Sequence, residues 1–270
     1  MSQKTVTYKA FSEILCPQYP FARLLVLFMS LAVFTVLLCA LNFVFREFYI
    51  DRFISQTALA ATAHKDEYID IYTVGLRFDA KLAYLMMLPA VAISFFALVH
   101  EVFYRPIVKI IAAWVGVCAF TMMTLTLANM NCLGAYGYPL TLDQVQSFFA
   151  DPSSALAKFP IFFDVIMTLF VTILFVGLWQ RLTMIFSTSS LWHTEGWINW
   201  LIVLCCFCGL MWTSAQTSIT STTPLTVSAA KISKEPMINY LVINAPISVL
   251  WSDKLGVLGQ PQTPSQDTNP

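Results

Sequence analysis

Charge is what this 270-residue chain has least of. Asp, Glu, Lys and Arg make up 11% of it, and fifteen acids cancel fifteen bases. A soluble domain carries about 25% charged residues, so an ordinary water-facing surface is excluded. Zero net charge without a basic patch argues against a nucleic-acid partner. Histidine is scarce, at three residues, and the one CxxC spacing among the seven cysteines, Cys205 to Cys208, falls inside an apolar run, so neither a thiol-ligand metal site nor a disulfide framework is indicated. Cys205, Cys206 and Cys208 are the one cluster, but no histidine or carboxylate stands beside them, and they read as small packing residues. The apolar stretches also lack the series of acids and histidines that relays protons in pumps. Little remains outside those stretches, too little for a soluble catalytic domain of about 100 residues.

What the chain has instead is long hydrophobic runs, at 21–45, 82–100, 107–130, 159–179 and 197–217. About 20 apolar residues cross the hydrocarbon of a bilayer as a helix. The expected fold is therefore all-α, a polytopic membrane protein. It has five transmembrane helices (1–218), an extracytoplasmic juxtamembrane segment (219–252) and a disordered linker or tail (253–270). The first run is too long for a signal peptide and reads as a retained anchor. Lys4, Lys9, Arg23, Arg105, Lys109 and Arg181 crowd the short segments on one side. That bias predicts a cytoplasmic N-terminus and an extracytoplasmic C-terminus, although Arg46, Arg52, Lys65, Arg77 and Lys81 oppose it. Asp164 reads as an interfacial acid at the start of the fourth helix, and His100-Glu101 as a solvated boundary.

The connections carry the remaining signals. Between 46 and 80, Phe48, Ile50, Phe53 and Ile54 continue the first helix out of the membrane, and His64 to Glu67 form a polar knot. Gly75 is placed to turn the chain and Asp79 to cap the second helix. Arg77 and Lys81 then lie at headgroup depth, as interfacial anchors or paired with Asp79 or a lipid phosphate. Arg77, Asp79 and Lys81 are the candidate contacts to phospholipid headgroups. Pro89 should kink the second helix. After the third run, Thr141-Leu142-Asp143-Gln144 reads as a capping box. Leu142, Val145, Phe148 and Phe149 follow on one face of a short helix that lies on the membrane interface or packs on neighbouring spans.

Three of these segments, in order, resemble the membrane half of the lipoteichoic acid synthase family, phosphoglycerol transferases with an extracytoplasmic sulfatase-like domain. They are Gly75-Leu76-Arg77-Phe78-Asp79 with Leu82-Ala83-Tyr84-Leu85 and Pro89; Tyr136-Gly137-Tyr138-Pro139-Leu140 through Asp151-Pro152; and Thr223-Pro224-Leu225 with Ile243-Asn244-Ala245-Pro246-Ile247-Ser248. The likeness covers 70–250. Tyr138-Pro139 and Thr223 depart from it, standing where basic residues are common in that family. The resemblance implies a bacterial cytoplasmic-membrane protein that touches membrane phospholipids and works with a sulfatase-like domain. That domain's divalent metal and Thr nucleophile have no counterparts in 251–270, so no catalytic residue, metal ligand or cofactor is expected here, and the chain reads as a truncated, split or stand-alone membrane domain. The alternative functions are a small transporter or channel subunit, or a scaffold for a separately encoded outer domain.

Overall fold

The structure, a computed structural model, describes residues 16–17, 19–54, 65–153, 159–188, 201, 204–205, 208 and 224–259. The expected fifth span lies outside the described residues apart from the helical positions 201, 204, 205 and 208. So do His64, the Ser/Thr-rich stretch as far as Thr223, and the tail beyond Gly259.

Helix formation follows the apolar runs and goes well past them. Helix α1 covers Pro20–Phe53, α2 Lys65–Ser94 with a 3-10 extension Phe95–Leu98, α3 Glu101–Tyr136 and α5 Ile161–Thr188. All four are long and apolar enough to cross a membrane. At 1.5 Å per residue the 34 residues of α1 reach about 51 Å, against about 30 Å of hydrocarbon, so about two fifths of its length exceeds what an upright crossing needs. The expected continuation of the first helix through Phe48, Ile50 and Phe53 is present.

The second helix differs from expectation. It begins at Lys65, not near 82, so the second half of the anticipated connection is helical. Gly75 does not turn the chain and Asp79 does not cap the helix; both lie inside α2. The cause is a buried stripe of Ile71, Gly75, Phe78, Asp79 and Leu82, which holds helical spacing across the polar stretch. The α-helix also passes through Pro89 before its last turn tightens to 3-10. At the start of α3, exposed His100 is more than a boundary residue: its Nδ1 accepts the Val102 N–H at 3.2 Å.

Helix α3 ends at Gly137, whose φ of 73° lies in the left-handed region that glycine tolerates. Its N–H reaches back to the Leu133 carbonyl at 3.1 Å. The capping box at Thr141 is formed, with the Gln144 N–H donating to Thr141 Oγ1 and the Thr141 N–H to Gln144 Oε1. It opens α4, Leu142–Ala150, which buries no residue.

The chain divides into two compact units, each drawn from several helices. In the unit of Met1–Val36, Tyr84–Thr121 and Thr168–Gly209, Phe34 of α1 meets Phe175 and Trp179 of α5 edge-on. Trp179 Nε1 donates to the Val108 carbonyl and Trp114 Nε1 to that of Met86, which satisfies both indoles inside the packing. Buried Arg23 donates to the Pro17 and Ala97 carbonyls. The second unit, Leu37–Ala83, Met122–Met167 and Leu210–Pro270, holds the site described next.

After position 224 the chain forms a 3-10 turn, Val227–Ala230, then α6 Pro236–Val242, α7 Ala245–Leu250, a 3-10 turn Ser252–Lys254 and α8 Gly256–Gly259. Residues 253–259, anticipated as tail, are instead folded, because Leu255 and Leu258 are buried and α8 packs on α6. Asn239 locks this segment internally. Its Oδ1 accepts the N–H groups of Ile232 and Ser233, and its Nδ2 donates to the carbonyls of Ser233 and Leu258.

Candidate functional site

Arg46 is the one charge that follows directly on the first apolar run, and α1 carries it into the interior of the second unit. Its side chain is 3% exposed and that of Asp79 is 0%. The pair is bidentate: Nη1 donates to Asp79 Oδ2 at 2.7 Å and Nη2 to Oδ1 at 2.9 Å. Nε and Nη2 also reach the carbonyls of Leu241 and Val242, at 3.2 and 3.4 Å, at the end of α6. Gly75, one turn before Asp79 on α2, makes the approach feasible. A Cβ at that position would stand 2.5 Å from the Arg46 Cζ, inside contact distance. Glycine is here for close passage of a guanidinium, not for a turn.

Asn244 completes the cluster. Its Nδ2 donates to Asp79 Oδ1 at 3.1 Å, while its Oδ1 accepts the Ile247 N–H and so caps α7. Pro246 follows within the first turn, where a missing N–H costs nothing. Around this centre the other ties run to the same segment. Lys81 Nζ donates to the Leu225 carbonyl at 2.8 Å and lies 5.2 Å over the Trp251 ring. Phe78 packs edge-on against Trp251, and the Ser248 hydroxyl reaches the Leu140 carbonyl at 3.0 Å. The Leu140 N–H is bound in turn by Asn129 Oδ1 at 2.7 Å.

The three sequence-predicted headgroup residues thus have different surroundings. Asp79 is fully buried and paired with Arg46, not with Arg77 or Lys81, so in this arrangement it meets no headgroup. Lys81 is half-buried under Trp251, and Arg77 is half-buried on α2. Leu142, Val145, Phe148 and Phe149 do form α4, with Phe149 82% exposed and Phe148 against Phe159. Asp164 lies in the first turn of α5, as expected, and accepts a hydrogen bond from Asn131 at 2.7 Å. Sequence reasoning missed Arg46 and Asn244 as partners. The signal for Arg46 was its position, a guanidinium abutting a long and largely apolar run with no acid within helical reach that faces it.

Chemically the cluster is a closed lock: both carboxylate oxygens are occupied and the charges cancel. Among the described residues no group of three or more His, Cys, Asp or Glu side chains is arranged to hold a metal ion. Breaking such a buried pair from one side is costly because the survivor stays charged and unpaired. In the part of the juxtamembrane segment outside the spans, burial pushes the Tyr240 phenol above its usual range. Comparison with protein-family models, curated proteins and solved structures finds no match for this chain.

Proposed function

We propose that this chain is a membrane-anchoring domain of the kind found in lipoteichoic-acid-synthase-like phosphotransferases, set in a bacterial cytoplasmic membrane with its N-terminus inside. Its task is to fix the juxtamembrane segment 224–259 on the extracytoplasmic ends of the helices, and so to hold a sulfatase-like domain at a set height above the phospholipids. The observation that carries this reading is a convergence. Segments that prompted the resemblance, separated by up to 165 residues, touch one another through Asp79–Asn244, Lys81–Leu225 and Leu140–Ser248. A resemblance made of unrelated short matches gives no reason for those residues to meet.

The test is cross-linking in native membranes followed by affinity purification. The expected product contains a sulfatase-like domain, in the same polypeptide or in a separate one. Recovery of the chain without such a domain, together with substrate-dependent flux in liposomes, would replace this reading with a transporter subunit.

A further inference from the structure

Beside the lock, one polar group is left over. Asn42 of α1 is 5% exposed, and its Nδ2 meets no acceptor among the described residues. An amide N–H buried without a partner forfeits its hydration with nothing in return. Asn42 also lines a cavity of about 10 Å³. The rest of the wall comes from Arg46 and Tyr49 of α1, Thr126 of α3, and Leu241 and Asn244 of the juxtamembrane segment, among others. The orphan donor and the space adjoin.

We infer that this cavity is a binding site for a single water molecule, which links α1 to the juxtamembrane segment. Size selects the occupant: roughly 10–15 Å³ is what one water needs, and a phosphate, a lipid headgroup or a hydrated ion is far larger. Charge agrees, since the adjacent guanidinium disfavours a bare cation. Chemistry completes the match. The water accepts from Asn42 Nδ2 and has two hydrogens to donate to oxygens of the wall. The Leu241 carbonyl is one such acceptor, because it receives a single bond from Arg46 Nε and has a second lone pair. The Tyr49 hydroxyl is committed elsewhere, donating to the Thr126 carbonyl at 2.6 Å. The site therefore adds a solvent-built tie at the place where the ion pair makes its protein-built one. It stands whether or not the envelope role proposed above is correct.

Two measurements on the detergent-solubilised full chain decide it. A high-resolution map should show an ordered peak about 3 Å from Asn42 Nδ2; an empty cavity overturns the proposal. Asn42→Leu, matched in branching and heavy-atom count but without a polar atom, should lower the thermal midpoint and speed amide exchange at 241–245. If the cavity is dry, the same substitution removes an orphan amide and the midpoint stays or rises, which also overturns the proposal. Asn42→Ser retains a donor toward the water and should fall between wild type and Asn42→Leu, which separates loss of the tie from general damage to α1.

Discussion

Asp79 and Gly75 are both needed by Arg46, for different reasons. Asp79 neutralises the guanidinium, so Asp79→Asn leaves a buried cation with only carbonyl and amide partners. A loss of about 3–5 kcal/mol is expected, read as a lower unfolding midpoint in detergent. The double variant Arg46→Met with Asp79→Leu should recover most of that loss, since matched apolar groups carry no stranded charge. Gly75 contributes only the absence of a side chain. Gly75→Ala puts a methyl where the guanidinium lies, and because Arg46 is pinned by four hydrogen bonds it cannot simply swing aside. About 1–3 kcal/mol of destabilisation is expected, the range for overpacking, in the same unfolding assay.

Helix α4 owes its existence to Thr141 and Gln144 and its exposed face to Phe149. Thr141→Ala should cost the helix about 1 kcal/mol, visible as faster amide exchange at 142–146. Phe149→Trp should give blue-shifted emission in vesicles and strong quenching by lipids labelled near the headgroup if α4 lies on the interface. Unshifted emission would place it in water. This element was legible in the sequence because its signals are local: a cap, a box and one apolar face within nine residues. The start of α2 was not. Between 65 and 81 charged residues interrupt the apolar pattern, and the helix persists because Asp79 finds a cation on another helix 33 residues away. A single sequence shows the charge but not its partner. Asn244 was equally opaque, since an Asn before Ala-Pro announces a helix cap and says nothing of the carboxylate that its amide meets.

At the scale of the molecule, α5 stands apart from the other spans. Only 17% of its most apolar stretch is buried, against 56% for α1 and for α3. Phe162, Phe170 and Ile173 are exposed along it, a face suited to lipid acyl chains. The juxtamembrane segment has the opposite character, with short helices that bury Ile238, Leu241, Val242 and Ile247. Limited proteolysis of membranes should therefore spare 225–258 in the wild type and cut it readily in Asp79→Asn. If both resist equally, the ion pair does not hold the segment.

Four of the ties at that segment and at Leu140 share an asymmetry that the Asn244–Asp79 and Leu140–Asn129 bonds do not. The atoms that receive them at Leu140, Leu225, Leu241 and Val242 are peptide oxygens, which every amino acid supplies, whereas the atoms that give them belong to the irreplaceable side chains of Arg46, Lys81 and Ser248. Evolution is thus free to rewrite the receiving positions with almost any residue of fitting bulk. Distant kin of this chain should be recognisable by their donors long after the lettering of the segment they grip has drifted beyond alignment.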